Sequence, residues 1–272
     1  MSWTSLKRKA ESDLQKITNY FHQKVLTVNF SKTRYVPFTS YQSNLPDFDT
    51  LTINTSGSQT IIQGVTNIKY LGIYIDSHMR WDIHMTHLAE KLRYLLYKFK
   101  TLITSLKTQH LKVLYNALVQ PHLFYGIIGW GGVTNHYLER VQSLQNWILK
   151  VIYNKNKLYP TNRLYIETGV FDIRQIFCYV ILNRQHRYKS KLVPVSHQYT
   201  TRTKAADSMQ TRKVDKTLTQ RSYYYLGTRI YNKIPPDYKK INSLQLFKSK
   251  VKKWLKEKPR DEIHKLIDLK NN

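Results

Sequence analysis

The apolar residues of this chain change their spacing at about residue 84, and this change restricts the fold more than any other feature. Upstream, residues 69–76 form a short run rich in tyrosine and isoleucine, which favour β-strands. Downstream, apolar residues recur at steps of three and four, which predicts an amphipathic helix with one buried stripe: Met85, Leu88, Leu92, Leu95, Leu96, Phe99 and Ile103. The sequence therefore predicts an α+β chain, with strands early and helices late.

The segments before residue 84 fit this division. Helical spacing over residues 3–25 predicts a first helix whose apolar face is Trp3, Leu6, Ala10, Leu14, Ile17, Phe21 and Val25. Short antiparallel strands are predicted at residues 33–38, 61–62 and 68–75. Residues 39–58, rich in serine, asparagine, glycine and proline, are typical of a connecting loop.

The later helices are predicted from their caps. Thr108, Asn135 and Ser243 are expected to begin helices, and Asp172 with Gln175 resembles a capping box. Pro121 is expected to kink or end the helix that contains it. Residues 196–222 are polar and basic, which predicts a flexible segment, whereas residues 243–255 form an amphipathic helix. Two arrangements of the C-terminal region stay open: a separate basic tail, or docking of Leu226, Ile230, Phe247 and Trp254 onto the preceding helices.

The charge of the chain points to a polyanionic partner. Its 44 Lys+Arg and 17 Asp+Glu give a formal net charge of +27, which favours nucleic acid and, as the competing alternative, an anionic membrane surface. No run approaches the ~18 apolar residues of a membrane span, and no secretory leader is recognised, so we expect the nucleus or cytoplasm. Cys178 is the single cysteine, which excludes an intramolecular disulfide.

Two short segments resemble motifs of a known polymerase family. Residues 26–33 read Leu-Thr-Val-Asn-Phe-Ser-Lys-Thr, and residues 69–76 read Lys-Tyr-Leu-Gly-Ile-Tyr-Ile-Asp. Their order and spacing resemble motifs D and E of the reverse transcriptases of non-LTR retrotransposons, of the jockey and RTE type. Many members of that family carry glycine before the first motif, whereas this chain has Lys24-Val25.

The resemblance implies roles for the residues of both motifs. Lys32 matches the lysine that lies near the phosphates of the incoming nucleotide, where it acts as a general acid if a complete palm domain is present. Lys69, Tyr70 and Gly72 match the primer-grip hairpin, in which a glycine lets the backbone approach the primer strand. Along this run we expect Tyr70 and Tyr74 on one face of the strand, with Leu71 and Ile73 on the other.

The helical part is similar to the thumb domain and C-terminal region of the same family. The similarity rests on strings such as residues 114–118, 123–131, 140–146, 199–202 and 220–235. A thumb holds template–primer duplex through phosphates, which requires exposed cations on helices. The predicted contacts are Lys91, Arg93, Lys98, Lys100, Lys107, Lys112, Arg202 and Arg221. The domains expected are a palm remnant over residues 1–77, a thumb over 78–188 and a basic C-terminal region over 189–272.

The resemblance also implies what this chain does not carry. The complete enzyme uses Mg²⁺ ions held by palm aspartates, and the usual Ala-Asp-Asp string is absent from the sequence. Neither the Asp47/Asp49 pair nor the histidines near Asp82 predicts a metal site. We therefore expect a polymerase fragment that binds RNA and DNA but is inactive without a palm-containing subunit. The alternatives are a non-enzymatic nucleic-acid-binding protein and a peripheral membrane protein.

Overall fold

The structure, a computed structural model, describes residues 2–39, 45–55, 58–189, 209–211 and 213–267. The chain forms two compact units, Met1–Ile83 and His84–Asn272, and each is described by itself. The first is mixed α and β, and the second is helical. This agrees with the predicted α+β class. Within the described ranges, none of the helices combines the length and the apolar character that crossing a membrane requires.

The first unit contains one long helix, a small sheet and a hairpin. Helix α1 spans Trp3–Gln23 and is followed by a 3₁₀ turn at Phe30–Lys32. Five strands come next, with the bounds β1 Arg34–Tyr35, β2 Thr50–Thr55, β3 Ser58–Gly64, β4 Asn67–Tyr70 and β5 Ile73–Asp76. The sheet order is β1-β3-β2, and β4 and β5 pair separately. Strands β2 and β3 are antiparallel, as are β4 and β5, whereas β1 runs parallel to β3 and so departs from the predicted antiparallel pattern.

Strand β2 lies within the segment that the composition assigned to a loop, so that prediction was wrong. Leu51 and Ile53 alternate with threonine and asparagine, and both are buried with Ile62 of β3 in the core of this unit. The short strand has one buried face, which compensates for the unfavourable composition around it.

Helix α1 packs on this sheet with only part of the apolar face that was predicted. Ala10 and Leu14 contact the core, while Leu6 and Ile17 of the predicted apolar stripe are exposed. The reason lies at the edge of β2. The side chain of Glu11 accepts a hydrogen bond from Thr52 N, and that of Gln15 accepts one from Asn54 N and donates one to Asn54 O, at 2.8–2.9 Å. These bonds satisfy edge groups that have no neighbouring strand, and they set the rotation of the helix.

The second unit is a helical assembly. The helix bounds are α2 Asp82–Leu102, α3 Thr108–Leu114, α4 Gln120–Phe124, α5 Ile127–Trp130, α6 Asn135–Ile152, α7 Thr161–Thr168, α8 Ile173–Arg187, α9 Thr217–Gln220, α10 Tyr223–Asn232, α11 Pro236–Lys239, α12 Leu244–Glu257 and α13 Arg260–Ile267. The predicted stripe of α2 is confirmed in its main members, since Met85, Leu88, Leu92 and Phe99 are buried.

Pro121 does not end its helix, which instead departs from regular α-helical geometry in the turn before the proline. The backbone widens into a π-helical turn at Tyr115–Val119 and continues directly into α4. Proline lacks an N–H group, and its ring conflicts with the carbonyl four residues earlier in a regular helix. A wider turn before the proline relieves this conflict, so the chain remains helical.

Helix α8 is the centre of the second unit. The predicted capping box is confirmed, because Asp172 accepts from Gln175 N and the Gln175 side chain accepts from Asp172 N. Helices α10, α12 and α13 pack on α8, and Gln175 Nε2 donates to Leu255 O at 3.0 Å. Leu226, Ile230 and Phe247 are fully buried. The C-terminal helices therefore adopt the docked arrangement. Much of the predicted flexible segment, residues 196–208 and 212, lies outside the described residues.

Candidate nucleic-acid interface

The turn that contains Lys32 is held by Asn29. The Asn29 side-chain oxygen accepts hydrogen bonds from Lys32 N at 3.1 Å and from Ser31 Oγ at 2.7 Å. Thr33 Oγ1 donates to the carbonyl of Asn29 at 2.8 Å. These bonds give Asn29 and Thr33 a structural role in holding the turn. The Lys32 side chain is exposed, so its amine is available to an anion in solution.

Lys24 and Val25 stand before the first motif, and Val25 lies in the cap that ends α1. Leu26 N donates to Phe21 O at 2.9 Å, and Val25 N donates to His22 O at 3.0 Å. This pair of bonds is a Schellman cap, which places its penultimate residue in the left-handed region. Val25 has φ 59°. The cap thus holds a β-branched residue in the left-handed region, where its side chain causes strain.

The primer-grip-like segment is a tight β-hairpin. Leu71 and Gly72, with φ 47° and 82°, form its two-residue turn, which requires positive φ at both positions. Tyr70 pairs with Ile73, and Lys69 pairs with Tyr74. Cross-strand partners share a face, so the prediction that Tyr70 and Tyr74 lie on one face was wrong. The error came from treating the run as a single strand.

The tip of this hairpin is open to solvent. Tyr70 is 61% exposed and Leu71 is 71% exposed, and Gly72 and Lys69 are exposed as well. The Lys69 amine lies 5.5 Å from the centre of the Tyr74 ring, a cation–π distance. The tip of the hairpin therefore exposes a lysine, the side chains of Tyr70 and Leu71, and the backbone of Gly72.

Helix α2 displays two adjacent rows of cations and tyrosines. Steps of three and four place Lys91, Tyr94 and Lys98 in one row and Arg93, Tyr97 and Lys100 in the next. All six are exposed. The Lys98 amine lies 5.2 Å from the centre of the Tyr94 ring. The structure thus brings together four of the predicted contacts, and it adds Tyr94 and Tyr97, which the charge-based prediction omitted although their spacing could have shown them.

The other predicted contacts are distributed over the helical unit. Lys107, the N-cap residue of α3, and Lys112 within that helix are both exposed. Arg221 is half-buried, and its guanidinium lies 3.5 Å from the carbonyl of Gly132. Gly132 has no room for a side chain, because a Cβ would lie 2.0 Å from Arg221 O. Arg221 therefore has a clear packing role, and its contact with nucleic acid stays a prediction. Arg202 lies outside the described residues.

The side chains that could ligate a metal are dispersed in the described part of the chain. Mg²⁺ is bound through carboxylate oxygens, and the described part of the chain contains no group of three or more histidine, cysteine, aspartate or glutamate side chains placed to hold a metal.

The described residues thus include a turn with an exposed lysine, a hairpin with an open tip and a helix with an exposed basic surface. Two curated proteins are similar to this chain over part of its length. The probable RNA-directed DNA polymerase from transposon X-element of Drosophila melanogaster is 28% identical over 87 residues, 31% of this chain and 10% of that protein. The RNA-directed DNA polymerase from mobile element jockey of Drosophila funebris is 27% identical over 130 residues, 47% and 13% of the two chains.

These similarities confirm the resemblance to jockey-like reverse transcriptases that the sequence motifs indicate. The matched segments span about a tenth of the length of these relatives. No protein-family model and no solved structure matches the chain.

Proposed function

We propose that this chain is the part of a non-LTR reverse transcriptase that follows the catalytic aspartates, and that it binds template–primer duplex through α2. The observation that carries the proposal is the double row of cations on the exposed side of α2. Glu90 is the one carboxylate on the middle and later turns of that helix, and it pairs with His87 at 3.2 Å. Within the described part of the chain, the cations of α2 therefore have few carboxylate partners and can neutralise phosphates.

Binding through phosphates predicts a steep dependence on salt and little dependence on sequence. If the six predicted cations of α2 and α3 each neutralise one phosphate, the log–log slope of affinity against salt is about −5. Replacing Lys91 and Lys98 with glutamine should reduce that slope by about two. The matched control replaces Lys9 and Lys16, exposed lysines of α1, which changes the net charge equally and should leave the slope unchanged.

The measurement is fluorescence anisotropy of a labelled RNA·DNA hybrid, titrated with each protein over a range of salt concentrations. Equal slopes for the α2 variant and the α1 variant would refute binding through α2. A salt-independent affinity of the unmodified protein would refute phosphate-led binding altogether.

The same chain alone should not extend a primer, because its sequence has no Ala-Asp-Asp string. Adding a separately expressed palm polypeptide tests the second candidate function, a non-enzymatic nucleic-acid-binding protein. Template-dependent incorporation that requires both polypeptides and is reduced by Lys32→Ala supports the enzyme fragment. Hybrid binding without such complementation favours the non-enzymatic function.

A further inference from the structure

A second group of aromatic and cationic side chains lies away from α2, where the end of α8 meets the start of α10. The guanidinium of Arg184 lies 5.5 Å from the centre of the Tyr188 ring and 5.2 Å from the centre of the Tyr223 ring. The Tyr223 ring in turn lies 5.4 Å from the Tyr224 ring, tilted by 58°. We call Arg184, Tyr188, Tyr223 and Tyr224 the Arg–Tyr cluster.

Buried partners hold one side of this cluster in place. Tyr223 Oη donates to Gln185 Oε1 at 2.9 Å, and Gln185 Nε2 donates to Thr228 Oγ1 at the same distance. Gln185 and Thr228 are both buried between α8 and α10. The Tyr223 ring is therefore fixed before any ligand arrives. Because Arg184 contacts two aromatic rings, its planar group loses less conformational freedom on binding than a free arginine would.

The other side of the cluster is open. Tyr224 is 77% exposed and Tyr188 is 39% exposed, and the Arg184 side chain is exposed as well. The exposed Tyr224 ring, the fixed Tyr223 ring and the Arg184 guanidinium are three planar groups that lie close together. Such groups bind planar ligands by stacking.

The charges around the cluster favour an anionic ligand. Helices α8 and α10 contain no aspartate or glutamate, and Arg187 is a second exposed cation on the last turn of α8. Lys189, just beyond the helix end, adds a third positive charge. A planar ligand that carries negative charge therefore fits this surface better than a neutral aromatic one.

We propose that the Arg–Tyr cluster binds unpaired nucleotides of single-stranded nucleic acid, with a base stacked on Tyr224 and the adjoining phosphate near Arg184. Duplex does not suit the cluster, since its bases are already stacked inside the helix and expose no ring face. This inference rests on the proposed nucleic-acid function and adds a ligand class, since α2 is assigned to duplex. The two surfaces would bind the paired and the unpaired parts of one substrate.

The test compares the full chain with variants, using a short labelled oligouridylate and the RNA·DNA hybrid as separate probes. Tyr224→Ala should weaken oligouridylate binding about tenfold, the usual loss when one stacking ring is removed, and should leave hybrid binding unchanged. Tyr224→Phe should retain the affinity, because stacking needs the ring and not the hydroxyl. Tyr20→Ala is the matched control, since Tyr20 is an exposed tyrosine of α1.

Arg184→Lys separates stacking from charge. The variant keeps the positive charge, so the salt slope should stay the same, while the loss of the planar group should weaken oligouridylate binding. A 2-aminopurine base in the probe gives a direct signal, because its fluorescence is quenched on stacking. Quenching by the unmodified protein that Tyr224→Ala abolishes supports the proposal. Thermal melts of every variant should coincide with that of the unmodified chain.

Four results would overturn the inference. Equal effects of Tyr224→Ala and Tyr20→Ala on oligouridylate affinity would show that the Arg–Tyr cluster is not a specific binding site. Binding of an oligoglutamate peptide that depends on Arg184 and Tyr224, without binding of oligouridylate, would identify a protein partner instead. If the protein binds the hybrid but not oligouridylate, the single-strand role of the Arg–Tyr cluster is refuted and the proposed function is retained. If the protein binds neither probe, both the cluster's role and the proposed function are refuted.

Discussion

Arg260 donates a hydrogen bond from Nε to the carboxylate of Asp172 at 2.6 Å, across 88 positions of the chain. His264 Nε2 lies 3.1 Å from the same oxygen, while the other carboxylate oxygen accepts from Gln175 N. Asp172 is fully buried. One carboxylate thus caps α8 and anchors α13. Burial alone raises its pKa, but the hydrogen bond from His264 and the charge of Arg260 outweigh burial, and the pKa of Asp172 is lowered.

Arg260→Ala should destabilise the protein by about 3 kcal/mol, because it leaves a buried carboxylate without its main cation. The free energy of unfolding is measured by urea denaturation. Lys265→Ala is the control, because Lys265 is an exposed cation on the same helix. Equal stability of the two variants would show that Asp172 does not depend on Arg260.

Asp172→Asn should remove part of the acid sensitivity of the fold. A carboxyl whose pKa is lowered on folding contributes stability above its unfolded pKa of about 3.9, and that contribution disappears as the pH falls through the folded pKa. The variant should therefore be less stable at neutral pH, and its stability should change less below about pH 4. Parallel curves of unfolding free energy against pH for both proteins would contradict this assignment.

The amide of Gln145 joins two buried acceptors. Its Nε2 donates to Tyr115 Oη at 3.0 Å and to Phe171 O at 2.8 Å. Gln145→Leu should cost about 3 kcal/mol, because two polar groups lose their partner in the core. In the background Tyr115→Phe the cost should fall by about 1 kcal/mol, since one of the two acceptors is then absent. Urea denaturation of the four proteins completes the cycle.

Gln245→Leu is the control for that cycle, because it makes the same substitution at an exposed site. It should change stability only slightly. Strict additivity of Gln145→Leu and Tyr115→Phe would mean that the hydrogen bond between the two side chains contributes nothing.

Val25→Gly should stabilise the chain by about 1 kcal/mol. Val25 is 94% exposed, so the substitution loses no packing, and glycine adopts the left-handed conformation of the cap without the strain of a side chain. Val25→Ala, which keeps a Cβ, should give less than half of that gain. Thermal melts of the three proteins decide the matter, and a lower melting temperature for the glycine variant would refute strain at the cap.

The elements predicted correctly are those governed by neighbours in the sequence. The stripe of α2 and the capping box at Asp172 depend on residues within one or two turns, so spacing reveals them. Strand β2 was missed because its alternation, Leu51 and Ile53, is short and is surrounded by loop-forming residues. Its pairing with β3 and its contacts with α1 provide the stabilisation that the local sequence does not.

In the candidate sites, too, features set by neighbouring residues were predicted, whereas features set by contacts distant in the sequence were not. The cations of α2 were predicted because charge and spacing are visible in the sequence. The contact between Arg184 and Tyr223 was not, because it joins two helices whose packing depends on the whole second unit. Arg221 also has a packing role that its charge did not indicate, because its backbone lies against Gly132, while its contact with nucleic acid stays a prediction.

The last prediction concerns His186, which is buried between α10 and α12. Its Nε2 donates to Ile241 O at 2.8 Å, and its Nδ1 lies 2.9 Å from Tyr231 Oη, so the neutral ring with a proton on Nε2 satisfies both partners. The ring also stacks on Phe247 at 3.6 Å. Burial is the main cause that lowers the pKa of His186, and the charge of Lys189 adds to it, against the hydrogen bond to Ile241.

A histidine whose pKa is lowered on folding binds fewer protons in the folded state than in the unfolded state, so stability falls as the pH drops below the unfolded pKa of about 6.5. Burial likewise lowers the pKa of His84 to about 4, with Lys91 and His87 adding to the effect. His186→Gln keeps a donor for Ile241 O but does not titrate. Its stability should therefore decline less between about pH 6.5 and pH 5 than that of the unmodified chain. Urea denaturation at several pH values measures this difference, and identical declines would show that His186 is not a source of the acid sensitivity.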